Sequence, residues 1–346
     1  YGHHRDRHSF PTRRSSDLRS GLQYFMESGY IPVDKVTESV SKTLEMAYDD
    51  WCIAQMAREL GKEDDYALFM KRAGNYSNLW DTATGFMRPR NNDGTWLEAV
   101  AGHEQEIVRE GDHSWYRYFD PLLVGRRPNR HYTESNAWQY LWSVQHDIDG
   151  LIGLLGGKEE FISRLDTFFN MSPVITPPKY VGVVGTIGQY VHGNQPSHHV
   201  AYLYNYAAMP WKTQERVRQV CEELYRSGPG GLCGNEDMGS LSSWYVLSAM
   251  GLYQVTPGCN YYVIGSPLFG KATIDTGNGR SFSVEAINNS AKNIYIQSAS
   301  LNGRPLNRSW ISHAEITGGG GLVFVMGPEP ARDRGLRKED LPPSLR

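Results

Sequence analysis

Absences narrow this sequence first. It has no apolar run of the roughly 18 residues that a membrane-crossing helix requires, and its first residues lack the apolar core of a signal segment. Neither absence reports a compartment. Its four cysteines, Cys52, Cys221, Cys233 and Cys259, are too widely spaced for a CxxC or Cys/His ligand pattern. Neither a zinc site nor a disulfide scaffold is therefore expected, and the thiols read as free and mostly buried. Clustered positive charge is missing as well: 35 Lys and Arg against 38 Asp and Glu leave a net charge of −3. Without a basic field, nucleic acid and anionic membrane surfaces are not expected partners.

What is plentiful is aromatic: 21 Tyr, 9 Trp and 11 Phe in 346 residues. Tyr and Trp present a flat apolar face and one polar tip, which suits sugar rings as well as protein cores. The proportions, 40% hydrophobic and 21% charged, are those of a globular chain of one large domain or two.

Residues 1–19 are polar, basic and without periodicity. They resemble the translated sequencing-adapter run found at broken ends of assembled reading frames, so the native protein is expected to begin further upstream. Residues 20–255 read as helix after helix. Val40, Leu44, Ala47, Trp51, Ala54 and Ala57 form an apolar stripe over residues 39–60 that stops at Gly61. Further helices are expected over 64–79, 136–145, 148–155, 159–169, 198–208, 213–226 and 241–250, with a long loop over 81–102. Helix pairs with long loops on one side predict a mostly α fold, an α/α toroid whose loops collect around a central cleft. Beyond Tyr253 the period switches to two, with strand candidates at 261–264, 272–275, 282–286, 294–297, 314–316 and 322–326. Residues 256–330 thus form a C-terminal β module, and the charged, Pro-containing residues 331–346 read as a tail. Gly318 to Gly321 is a turn, since no helix bearing Lys-Ser/Thr follows to make it a phosphate loop.

Three stretches could carry chemistry. Five glycines between Gly228 and Gly239 make a loop that holds the carboxylates Glu236 and Asp237 before an apolar helix ending at Gly251. It reads either as a connection with a helix cap or as a site where a helix dipole favours ionised acids. Glu134 precedes the aromatic run Trp138-Gln139-Tyr140. It is either a cap or a carboxyl desolvated against Trp138, with the raised pKa of a general acid. The stretch from His192 to His199 offers the amide oxygens of Asn194 and Gln195 and three imidazoles. It reads as a polar turn or as oxygen ligands for a hard cation.

Six blocks together carry a resemblance: Ser39 to Cys52, Gly85 to Arg90, Tyr132 to Tyr140, Gly193 to His199, Pro210 to Gln214, and Gly234 to Gly239 with the helix after it. In this order, over roughly Gly21 to Pro330, they are similar to the signature blocks of glycoside hydrolase family 92. The resemblance implies a calcium-dependent, inverting exo-α-mannosidase acting on mannose-containing oligosaccharides, with α-1,2 linkages expected. It also implies an N-terminal β-sandwich domain of the same polypeptide, absent from this sequence, and a periplasmic or extracellular location. The family's general acid falls on Glu134 and its general base on Asp237, with Asn235 supporting the base. Trp138, His192, His198, His199 and Glu236 fall on substrate-binding positions, and Asn194, Gln195 and Gln139 on metal positions. Two residues depart from the commoner pattern: Asn235 stands where many members have Asp, and Gln195 where Glu is usual, so two negative charges are lost. A catalytically silent mannose-binding protein, and a toroid enzyme such as a retaining glycosidase or a phosphorylase, are the rival readings.

Overall fold

The structure, a computed structural model, describes residues 20–100, 105–175, 183–277 and 279–344. Its chain divides into two compact units, Tyr1–Leu141 with Ile175–Pro178, and Trp142–Val174 with Lys179–Arg346. The adapter-like residues 1–19 lie outside the described residues. All four cysteines are free thiols, of which only Cys221 is buried.

The first unit is organised on the helix Ser39–Glu59. Its stripe of Val40, Leu44, Ala47, Trp51, Ala54 and Ala57 is buried. Gly61 stops it at φ 66°, a left-handed position glycine occupies without a Cβ clash. The Lys62 and Gly61 N–H groups donate to the Ala57 and Arg58 carbonyls at 2.9 and 3.0 Å, closing a Schellman cap. The other end is held by a distant stretch of chain: Glu38 N–H donates to Arg130 O at 2.9 Å, and Val40 N–H to His131 O at 3.3 Å. Groups left without an intrahelical partner are thereby paired, and residues 130–133 are fastened to the helix.

The helix expected over 64–79 is α only from Glu63 to Ala73 and then a 3₁₀ turn, Gly74–Leu79. Asn75, Ser77 and Asn78 there turn their side chains onto the carbonyls of Phe25, Gly74 and Gly29. Such residues compete with helical backbone bonding. The helix expected over 136–145 lasts one turn, Ala137–Tyr140. The Trp142 carbonyl, which a longer helix would use internally, accepts from Val144 N–H at 2.8 Å and His199 Nε2–H at 2.7 Å.

In the second unit the helices Ile148–Leu154, Lys158–Asn170, Pro210–Leu224 and Ser240–Ala249 follow the sequence reading closely. The expected helix 198–208 is instead a 3₁₀ helix, Val200–Ala207, buried along its whole length. At three residues per turn, Tyr202, Tyr204 and Tyr206 point in three directions about 120° apart. Their hydroxyls meet Ser248 at 2.8 Å, Asp166 at 2.9 Å and Tyr261 at 3.0 Å. An α-helix would bring the first and third of these rings towards one face.

The period-two region forms a three-stranded sheet, Trp310–Ser312, Tyr261–Ile264 and Leu252–Tyr253, and a five-stranded sheet. The latter runs Lys271–Gly277, Arg280–Ile287, Gly320–Gly327, Tyr295–Leu301, Arg304–Pro305, with the second and third strands parallel. Phe282, Val284, Leu322, Phe324 and Ile296 form its apolar core. Residues 314–316 are not a strand but part of a helix, His313–Thr317. Ser312 and Glu315 form a reciprocal capping box, a signal that outweighs the short Ala-Glu-Ile alternation. Of the expected tail, the described residues 331–344 pack against the rest of the second unit. Arg334 and Asp340 are buried, Ser309 N–H donates to Asp340 O at 2.8 Å, and Tyr261 Oη–H to Pro343 O at 2.8 Å.

Phe324→Ala is expected to destabilise the chain by about 3–5 kcal/mol in urea unfolding. Val323→Ala, one residue along on the other face of the same strand, should cost under about 1 kcal/mol.

Candidate functional site

Glu134 is an exposed residue at φ 52°, in the left-handed region that non-glycine residues enter at a cost of about 1–3 kcal/mol. Both of its flanks are pinned. Before it, Thr133 N–H donates to Ser41 Oγ at 3.1 Å, and the two hydroxyls share a hydrogen bond of 2.8 Å. After it, Asn136 Oδ1 accepts from Gln139 N–H and Gln139 Oε1 accepts from Asn136 N–H, each at 3.1 Å. Tyr132 Oη–H donates to Met87 O at 2.5 Å, and the Trp138 ring packs edge-on against Phe86 at 5.1 Å. The Gly85 to Arg90 block therefore props the Glu134 segment.

These contacts change three expectations. Glu134 is not a carboxyl desolvated against Trp138; it faces solvent. Trp138 is 8% exposed and its ring is engaged in packing, which leaves little of it for a sugar. Gln139 is fully buried, with its carbonyl on the helix cap rather than presented as a metal ligand.

In the second unit two distant loops touch through glycine. A Cβ on Gly234 would lie 2.6 Å from Gly193 Cα, an approach no side chain permits. Above that contact Gln195 Nε2–H donates to Asp237 Oδ2 at 3.2 Å and Ser240 Oγ at 3.4 Å, joining blocks 42 residues apart. Asp237 is exposed, Met238 beside it takes φ 58°, and the helix Ser240–Ala249 begins immediately after. Glu236 Oε1 accepts from Ser242 N–H at 3.2 Å, a carboxylate at the positive end of the helix dipole. Among the described residues its Oε2 is buried without a hydrogen-bond partner. Asn194 is buried, and Asn235 is exposed.

The three imidazoles support the loop from beneath. His192 has no exposed surface: Tyr190 Oη meets its Nδ1 at 2.6 Å, and its Nε2 meets Tyr225 Oη at 2.6 Å. Because Tyr225 Oη–H donates to Leu241 O at 2.9 Å, its oxygen accepts from His192 Nε2–H, and Nδ1 accepts from Tyr190. With both nitrogens engaged, His192 is a strut and not the sugar ligand expected from the sequence. His198 Nε2–H donates to His192 O at 3.0 Å, and Trp244 Nε1–H to His198 O at 2.9 Å. His199 Nε2–H donates to Trp142 O. Burial drives His192 well below the ordinary histidine value, helped by repulsion from His198. His198 is lowered by burial against the opposing pull of the His192 carbonyl and Glu236, and His199 falls to about 4 through burial. At neutral pH the loop floor is uncharged. Tyr190 and Tyr225 escaped the sequence reading; the Tyr-x-His spacing at 190–192, which sets the Tyr190 and His192 rings on one side of extended chain, was a usable signal for Tyr190 alone.

A family model described as the glycosyl hydrolase family 92 catalytic domain matches residues 4–328. The chain is 31% identical to an "Uncharacterized secreted glycosidase" of Arthroderma benhamiae, over 97% of its own length and 42% of that protein's. It is similar to a family GH92 alpha-mannosidase from Bacteroides thetaiotaomicron with TM-score 0.82 and 38% identity, over 97% of this chain and 43% of that one. A complex of that enzyme with mannoimidazole gives TM-score 0.81 at the same identity and coverage. A family GH92 inverting mannosidase from the same organism matches with TM-score 0.79 and 39% identity, over 94% of this chain and 42% of that one. The chain spans less than half the length of these relatives.

Gly234→Ala should force the two loops apart at a cost of about 1–3 kcal/mol and break the Gln195–Asp237 bond in a crystal structure. Gly230→Ala, with nothing within 4 Å of the added carbon, should stay within about 0.5 kcal/mol. The pKa of His199 lies lower in the folded chain than in the unfolded one. Its contribution is therefore complete above about pH 6.5 and lost as pH falls towards about 4. Comparison of urea midpoints across that window should show a shallower loss for His199→Gln than for the parent chain.

Proposed function

The chain belongs to glycosyl hydrolase family 92, and on that footing we propose that it is the catalytic portion of an exo-acting α-mannosidase. It removes terminal α-linked mannose, α-1,2 in the first instance, from glycans by an inverting, calcium-assisted reaction. The Bacteroides relatives, one described as inverting and one solved with mannoimidazole, support the mannoside reading. The secreted fungal relative supports a periplasmic or extracellular setting. An α/α toroid over residues 20–255 and an N-terminal β-sandwich elsewhere in the polypeptide complete the proposal.

The observation that carries it is the Gln195–Asp237 bond over the Gly193–Gly234 contact. A carboxylate that must deprotonate water needs access to solvent and a fixed direction, and Asp237 has both. Gln195 holds Oδ2, and Oδ1 is assigned to the attacking water. Glu134 is assigned the protonation of the departing glycosidic oxygen. Glu134 is exposed, and its left-handed backbone is braced by Ser41 through Thr133 and by the Asn136 cap. Inversion follows when one carboxyl protonates the leaving group and the other activates water on the opposite face of the sugar. Asn235 supports the base as a neutral neighbour, and His198 and His199 retain their Nδ1 atoms for a hydroxyl.

Calcium takes oxygen ligands. Among the described residues no group of three or more His, Cys, Asp and Glu could hold a metal. Asn194 and Gln195 would offer amide oxygens, and the orphaned Glu236 Oε2 would restore the negative charge that Gln195 lacks. When bound, calcium would polarise and orient adjacent mannose hydroxyls.

Mannose release from mannobiose tests the assignments. Glu134→Gln and Asp237→Asn should each lower kcat by about 10²–10⁴-fold, and a chelator should abolish turnover until calcium is returned. Mannose binding without turnover in the parent chain would favour the silent glycan-binding reading, and a requirement for phosphate would favour a phosphorylase.

A further inference from the structure

We propose that Ser41 and Thr133 are positioning residues for Glu134: their interlocked hydrogen bonds hold its backbone in the left-handed conformation and so aim the acid. The inference rests on the reading of Glu134 as general acid.

Ser41 is fully buried in the first turn of the Ser39–Glu59 helix. Its Oγ is 3.1 Å from Glu38 O, accepts from Thr133 N–H at 3.1 Å, and lies 2.8 Å from Thr133 Oγ1. Thr133 is thereby fixed at both main chain and side chain, one residue before Glu134. The same helix start carries the two preceding links, Glu38 N–H to Arg130 O and Val40 N–H to His131 O. Residues 130, 131 and 133 are thus laid in register along one helix terminus. Downstream, the reciprocal Asn136–Gln139 cap fixes the chain again, so only Glu134 and the buried Ser135 lie between two clamps. A glutamate at φ 52° relaxes towards negative φ unless its neighbours forbid it. Loss of the Ser41 clamp removes that restraint and turns the carboxyl away from the leaving oxygen. Neither hydroxyl touches substrate in this account; both act through the backbone of Glu134.

Leaving-group dependence separates this from a merely structural role. A sugar alkoxide needs protonation to depart, whereas dinitrophenolate does not, so a misplaced acid slows one substrate and spares the other. In the active polypeptide, Ser41→Ala and Thr133→Val should lower kcat on mannobiose about 10–100-fold with KM little changed. On 2,4-dinitrophenyl α-mannoside they should lower it less than about threefold. Thr133→Ser, which keeps the hydroxyl, should rescue mannobiose turnover. Glu134→Gln should show the same selectivity more strongly. If Glu134→Gln discriminates while Ser41→Ala and Thr133→Val slow both substrates alike or neither, the positioning role is overturned. If Glu134→Gln slows both equally, the acid assignment falls and this inference falls with it. A crystal structure provides a second readout should one variant fold poorly: Glu134 still near φ +52° in either variant contradicts the proposal.

Discussion

The backbone contact between Gly193 and Gly234 is the constraint on which the second unit's site depends. Two loops from distant parts of the chain approach until no Cβ fits between them. That approach lets a single amide, Gln195, reach across to Asp237. Everything beneath serves to hold the first loop at that height. His192 is wedged between Tyr190 and Tyr225, Tyr225 is fastened to the Leu241 carbonyl, and Trp244 rises from the next helix to the His198 carbonyl. Burying three imidazoles is tolerable because each is neutral and hydrogen-bonded, which avoids the large penalty of a buried charge.

Polarity is distributed in an instructive way. The imidazoles of His192, His198 and His199 are buried and committed to structural bonds, while the carboxylates Glu134 and Asp237 stand exposed. Both acids also sit in strained surroundings: Glu134 is itself left-handed, and Met238 follows Asp237 in the same conformation. Backbone strain of this kind persists only where neighbouring contacts over-determine it. Here those contacts are the Ser41–Thr133 pair in one unit and the glycine-lined loop contact in the other.

Much of this was legible in the sequence wherever one signal dominated. The apolar stripe from Val40 to Ala57 with its Gly61 stop, the loop running into the helix at Ser240, and the alternation in residues 322–326 all express a single period over many residues. The departures arise where tertiary partners outbid local pattern. Tyr202, Tyr204 and Tyr206 need three separate hydroxyl partners, and only a 3₁₀ winding distributes them. The Ser312–Glu315 box overrode a three-residue alternation, and Arg334 and Asp340 found buried partners that composition does not reveal. For the site, the roles proposed for Glu134 and Asp237 rest on motif order, and nothing in that order signalled that His192 would be saturated by two tyrosines.

The anomeric configuration of the first sugar released tests the central claim most directly. Proton NMR during early turnover of an α-mannoside should show β-mannose appearing before mutarotation. Initial release of α-mannose would contradict the inverting account and the roles given to Glu134 and Asp237.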